Sequence, residues 1–456
     1  MSQPPTRSTR AESAAPSPLI DPVLAVRDLL VEFATDFGVV RAADGVSFDV
    51  YPNSTLAVVG ETGSGKSVSM LAALGLLGAA NVRRVSGEVM FRGRNLLALE
   101  PDERRRLLGR DISMIFQDPL SSLNPVMRVG DQIAEVVVAH HRVTKAAAHQ
   151  RAVELLEMVE VPEPATRARQ YPHEFSGGMR QRVMVAIAIA NRPAVLIADE
   201  PTTALDVTVQ AQLLDLLRRL QSESGAGMVL ITHDMGVVAE AADRVSIMYG
   251  GRIMESGPTA EVLADPRHPY TAALLRCLPG AAQLGEQLLP IPGQPPDLRL
   301  LGVGCPFAAR CELVREECRS RRPPLDQVAG GTRRSACFYH ADVPAWRASR
   351  PSLPVAQADA RESRIAASGN RTTMLDVRGL VTHFPIRAGV LHRPVGIIRA
   401  VDGVDMRVEP GEALGIVGES GCGKTTALRT VVRLVDPTAG EVHFDGTDLT
   451  AASGRA

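Results

Sequence analysis

One phosphate-gripping loop occurs twice in this chain, and that duplication restricts the fold more than any other feature. The first copy reads Gly60-Glu61-Thr62-Gly63-Ser64-Gly65-Lys66-Ser67, and the second reads Gly418-Glu419-Ser420-Gly421-Cys422-Gly423-Lys424-Thr425, followed by Thr426. Both fit the P-loop pattern. Backbone N–H groups cradle phosphates, the lysine reaches the outer phosphates, and the closing Ser or Thr holds Mg²⁺. A P-loop joins a strand to a helix N-terminus, where unpaired N–H donors and partial positive charge suit an anion. The lysines stand 358 positions apart, and 31 residues follow Thr425.

Flanking segments repeat in the same order. Arg41–Val50 (RAADGVSFDV) is matched by Arg399–Val408 (RAVDGVDMRV), and Ser86–Gly93 (SGEVMFRG) by Ala439–Gly446 (AGEVHFDG), at offsets of 358 and 353. Residues 22–258 read as a complete first copy, 259–340 as a Pro- and Cys-rich extension, 341–373 as a linker, and 374–456 as an incomplete second copy. The first 21 residues read as a disordered lead without an apolar signal core. Alternation predicts half-buried strands over 23–33 and 46–51. Thr55–Val59, Ala194–Ala198 and Met228–Thr232 have the length of buried strands. A helix is expected from Lys66 to Leu77, and 119–180 should be mostly helical with a break at Pro162/Pro164. Strands alternating with helices imply an α/β core with a parallel sheet.

The formal net charge is −1, which provides no long-range pull toward nucleic acid. Lys66, Lys145 and Lys424 are the whole lysine content of a Lys+Arg total of 50. Two of the three lie in the P-loops, where a compact ammonium is needed rather than a wide guanidinium fork. No apolar run reaches the roughly 18 residues of a membrane span. A cytosolic, reducing location is therefore expected, and the six cysteines are better metal ligands than disulfide partners.

Val195–Glu200 is an apolar run ending in two acids. Phosphoryl transfer needs charge neutralisation and an aligned nucleophile, so Asp199 fits a Mg²⁺-linked carboxylate and Glu200 a group that polarises water. Phe175-Ser176-Gly177-Gly178-Met179-Arg180 offers a second anion-binding helix start.

Together these segments resemble the ATP-binding cassette (ABC) ATPases, and Ser176-Gly177-Gly178 resembles their signature motif. The resemblance implies a P-loop NTPase cassette with a parallel core sheet, an antiparallel β subdomain and a helical subdomain, duplicated here with the second copy incomplete. It implies that Gln117 is the Q-loop glutamine near Mg²⁺ and water, Pro201–Asp206 the D-loop, and His233 the switch histidine. Catalysis would rest on Glu200, His233 and Gln117, and Mg²⁺ on Ser67, Gln117 and Asp199. ATP would lie on the P-loop of one cassette and the signature of another. Phe37 is the candidate for stacking on adenine; a core or turn Phe is the alternative. Arg267–Thr271 (RHPYT) and Gly304–Phe307 (GCPF) resemble the C-terminal extension of oligopeptide and dipeptide importer ATPases. In that group a cysteine cluster is associated with a [4Fe–4S] centre. Cys305, Cys311, Cys318 and Cys337 are separated by 5, 6 and 18 residues. This spacing matches neither ferredoxin nor zinc-ribbon patterns, so iron–sulfur, Zn²⁺ and unligated thiols all stay open.

The function implied is ATP hydrolysis powering peptide import from the cytoplasmic face of the membrane. The partners implied are two transmembrane permease subunits, an extracytoplasmic substrate-binding protein acting indirectly, and a second cassette. A non-transport ABC ATPase, or a transporter of nickel or glutathione, is the alternative. Neither composite ATP site is complete within the 456 residues, so the sequence is expected to continue into a longer fused protein. Otherwise two chains would pair through their first cassettes. The shortened second copy is expected to leave apolar strand edges open.

Overall fold

The computed structural model describes residues 21–78, 80–203, 205–277, 290–328, 331–349, 373–388, 393–419 and 421–450. The expected lead and most of the expected linker lie outside them. The chain divides into two units, each considered by itself. The first takes in the described residues up to Pro201, those from Leu216 to Cys277, and 290–349. The second takes in 202–215 and the described residues from 373 onward.

In the first unit, β1 (Leu24–Thr35) and β2 (Gly38–Val50) form a hairpin. β3 (Thr55–Val59) leaves it toward the P-loop. β4 (Val82–Phe91) and β5 (Arg94–Asn95) complete an antiparallel sheet in the order β2-β1-β4-β5. Leu24, Val26, Leu29 and Val31 are all buried. A register shift between Val26 and Leu29 lets the odd spacing return to the same face.

The central sheet adds β6 (Ile112–Ile115), β7 (Val195–Asp199), β8 (Gly227–Thr232), β9 (Arg244–Tyr249) and β10 (Arg252–Pro258). β11 (Asp326–Gln327) and β12 (Arg334–Ser335) extend it, giving the order β11-β12-β10-β9-β3-β8-β7-β6. From β9 to β6 every pairing is parallel. Every residue of β3, β7 and β8 is buried, because helices cover a parallel sheet on both faces.

The helix after the P-loop runs over Lys66–Ala73, shorter than expected, and Gly75 at φ +66° ends it as a left-handed cap. Residues 119–180 are mostly helical as anticipated. Asp118, Thr144 and Ser176 each accept a main-chain N–H at the start of the helices Pro119–Ser122, Lys145–Met158 and Gly177–Ile189.

Beyond Pro258 the chain folds back on the sheet. β12 pairs with β10, with Glu255 opposite Ser335 and Ser256 opposite Arg334. The fully buried Glu255 accepts the main-chain N–H groups of Arg267 at 2.7 Å and His268 at 2.9 Å. His268 Nδ1 accepts the Tyr270 N–H at 3.0 Å and so caps the helix Pro269–Arg276. Tyr270 and Phe307 then pack with Val59, Ile247, Tyr249 and Met254. Val343–Ala348, inside the expected linker, is helical.

The second unit repeats the antiparallel layer. β13 (Leu375–Ala388), β14 (Arg393–Val408), β15 (Ala439–Phe444) and β16 (Thr447–Asp448) run in the order β14-β13-β15-β16. Val377, Leu380, Val401, Val442 and residues of the helix Lys424–Val431 form a small core. Ala413–Val417 corresponds in the repeat to β3 but forms no strand, and Val417 is 91% exposed. Ile397, Ile398, Leu434 and Phe444 are exposed as well.

Candidate functional site

The first P-loop is shaped by close packing. A Cβ on Gly65 would stand 2.0 Å from the Ala42 carbonyl oxygen, and Gly65 holds φ +97°. A Cβ on Gly60 would stand 2.1 Å from the Met248 carbonyl oxygen. Gly63 is also left-handed, at φ +80°. The Ser64 N–H donates to the Glu61 carbonyl at 3.1 Å. Thr62, between them, is exposed. Lys66 is buried and donates to the carbonyls of Gly60 at 2.8 Å and Glu61 at 3.1 Å. Burial lowers its pKa, while Glu200, Asp199 and Glu61 act in the opposite sense.

One central strand, β7, brings both acids to the loop. Ser67 Oγ donates to Asp199 Oδ1 at 2.8 Å. Burial raises the Asp199 pKa, and the Ser67 hydrogen bond opposes that shift. One residue on, Glu200 takes a left-handed φ of +47°, and its N–H donates to the Ile231 carbonyl at 2.9 Å. That turn aims the carboxylate off the strand end. Gln117 Nε2 donates to Glu200 Oε2 at 3.0 Å, and His233 Nδ1 lies 3.3 Å from Glu200 Oε1. Asp234 caps the helix Met235–Ala241 directly after His233. A carboxylate held from both sides beside a phosphate cradle can orient an attacking water.

Ser176 Oγ caps its own helix through the Met179 N–H, with Gly177 exposed and Gly178 half-buried beside it. Phe37 sits in the β1–β2 turn, 81% exposed, with the Arg299 guanidinium 5.6 Å from its ring centre. It is therefore not a core residue. In the second unit Lys424 donates to the Gly418 and Glu419 carbonyls, both at 2.6 Å. Gly423 repeats the left-handed approach of Gly65, with the Ala400 carbonyl oxygen 2.0 Å from a built Cβ. Gly421 is left-handed too, Thr425 is exposed and Thr426 half-buried.

The family model for ABC transporters matches residues 43–203 and 401–456, and that for the oligopeptide/dipeptide transporter C-terminal region matches 254–318. The oligopeptide transport ATP-binding protein OppD of Mycobacterium tuberculosis is 47% identical over 434 residues, which cover 94% of this chain and 69% of the relative. The chain belongs to the oligopeptide/dipeptide family of ABC transporter ATP-binding proteins. The dipeptide transport ATP-binding protein DppD of Bacillus subtilis is 48% identical, covering 64% of this chain and 87% of its own length. Escherichia coli OppD is 49% identical, covering 70% and 93%.

In this ABC protein Cys305, Cys311, Cys318 and Cys337 line one small cavity together with Phe307 and Tyr339. Burial pushes the Cys305 thiol up to about 11 and those of Cys311 and Cys337 to about 12. Among the described residues no group of three or more His, Cys, Asp or Glu has metal-holding geometry. No helix among them is long and apolar enough to cross a membrane.

Sequence reasoning passes over the partners of Glu61. Arg310 Nη1 holds its carboxylate at 2.8 and 3.1 Å, and Tyr270 Oη accepts its N–H at 3.1 Å. A separation of 249 residues leaves no local pattern by which to pair Arg310 with the loop.

Proposed function

We propose that the first cassette is the ATP-hydrolysing motor of a peptide importer, working against two transmembrane permease subunits fed by an extracytoplasmic binding protein. The observation that carries this is the Glu200 carboxylate held between Gln117 and His233, one residue from the Asp199–Ser67 pair at the P-loop. Peptide cargo is supported by the names of the relatives and by the match of the extension. Ser67, Asp199 and Gln117 suit Mg²⁺: a buried carboxylate with a raised pKa gains from a cation, which would neutralise phosphate charge. Lys66 holds the phosphates, Glu200 takes the proton of the attacking water, and His233 and Gln117 keep that carboxylate aligned. Ser176, Gly177 and Gly178 would close over ATP bound to a second cassette, and Phe37 would meet the adenine.

Replacing Glu200 by Gln should lower turnover by about 10²–10⁴-fold while ATP binding persists and a closed pair accumulates. Undiminished turnover would remove Glu200 from the role of base.

The cysteine pocket fits a four-thiolate cofactor in its donor set. Buried thiols with raised pKa values become thiolates only beside strong positive charge, which iron supplies. Cys305, Cys311, Cys318 and Cys337 would hold a [4Fe–4S] cluster, which would tie β12 and the preceding loops together. Iron and acid-labile sulfide in stoichiometric amounts would support this; zinc alone, or no metal, would overturn it.

A further inference from the structure

Given the ATP-site assignment proposed above, we infer that Arg310 and Tyr270 are positioning residues for the P-loop, so that the C-terminal extension forms part of the nucleotide site. Glu61 is the second residue of the loop. Its N–H donates to Tyr270 Oη at 3.1 Å, and its carboxylate receives Arg310 Nη1 at 2.8 and 3.1 Å. Its carbonyl accepts from Lys66 Nζ at 3.1 Å. Every hydrogen-bonding group of Glu61 is thus engaged, and one of them fixes the phosphate-binding ammonium.

The support is stiff. The Arg310 side chain is only 7% exposed. It also donates to Tyr249 Oη at 3.1 Å and, through Nε, to the Pro292 carbonyl at 2.9 Å. The Tyr249 and Tyr270 rings lie 4.6 Å apart, and Phe307 stands 5.3 Å from each. One buried guanidinium nitrogen, Nη1, engages both carboxylate oxygens in a charge-assisted pair, so displacing Arg310 releases the Glu61 carboxylate. Once Glu61 moves, the carbonyl that seats Lys66 moves with it. The line from extension to ammonium is therefore three residues long: Arg310, Glu61, Lys66.

The test is steady-state ATP hydrolysis by the full chain with Arg310→Ala, Glu61→Gln, the pair combined, Arg310→Lys and Tyr270→Phe. KM for ATP should rise about tenfold in Arg310→Ala and in Glu61→Gln, with kcat within about twofold. The double variant should be no worse than either single one, because both break the same link. Arg310→Lys should recover part of the loss, keeping a charged nitrogen for the carboxylate without the bonds that Nε and Nη2 make to the Pro292 and Ile291 carbonyls. If Arg310→Ala does not fold, Tyr270→Phe and Arg310→Lys carry the test through the same KM-against-kcat split. An unchanged KM in the folded variants, or fully additive effects in the double variant, would overturn the inference. Lys66→Ala is measured alongside. If it hydrolyses ATP as well as the parent, the ATP-site assignment fails, an outcome distinct from intact Lys66 dependence with an indifferent Arg310.

Discussion

Mild acid should loosen the extension through a single imidazole. His268 is buried, and burial holds its pKa at about 3 against 6.5 for the free side chain; a main-chain hydrogen bond at Ala336 works the other way. Between those values an unfolded segment carries a proton that the folded one refuses. Stability therefore falls as pH drops below 6.5. From pH 7 to pH 5 the loss is about 2 kcal/mol, or about 25-fold in the population of the opened extension. Glu255, bonded to the His268 N–H, also has its pKa raised by burial. A raised carboxyl pKa gives a contribution of opposite sign, present below the unfolded value and lost as pH rises through the folded one. It is common to parent and variant, so it cancels in their comparison. The variant is His268→Asn, whose side-chain oxygen can still accept the Tyr270 N–H without taking up a proton. Hydrogen exchange of the Arg267–Arg276 segment, compared between the two proteins at each pH, removes the intrinsic exchange rate. Protection should decline toward pH 5 about 25-fold further in the parent. Parallel declines in both proteins would refute the reasoning.

Gly65→Ala should abolish binding of an ATP analogue while far-ultraviolet circular dichroism is kept, since its Cβ would meet the Ala42 oxygen at 2.0 Å and strain a left-handed residue; retained affinity would count against so close an approach of the loop to β2. The repeat offers an internal control. Val59→Asp, on a buried strand between β8 and β9, should cost several kcal/mol in denaturant unfolding of the first unit. Val417→Asp, at the corresponding and exposed position of the second unit, should stay within about 0.5 kcal/mol.

The elements nearest the chemistry are legible in the chain because their patterns are local. Thr55–Val59 is a strand with the predicted limits, and Asp199 and Glu200 stand at the end of the next apolar run. The Lys66 helix is shorter than its apolar pattern because Gly75 is a left-handed stop. The joining of Gln117, Glu200 and His233 comes from family resemblance rather than from spacing, since they arrive on separate strand ends. The Arg310–Glu61 link and the buried Glu255 are not legible at all. Each depends on the extension returning to the first sheet, a tertiary event without periodicity. In the second unit Ala413–Val417 stands at the place that Thr55–Val59 takes in the first, yet forms no strand.

The pairing of β12 with β10 also sets a clock. Arg252–Pro258 leaves the ribosome with one edge unpaired, and the residues that cover it, Arg334 and Ser335, are complete 77 positions later. At about 5–20 residues per second the edge stays open for roughly 4–15 s during synthesis. In that interval a nascent neighbour can pair with it in place of the chain's own strand. Slower translation between residues 258 and 335 would lengthen that exposure, so yield on crowded polysomes should depend on codon choice in the extension more than in the cassette before it.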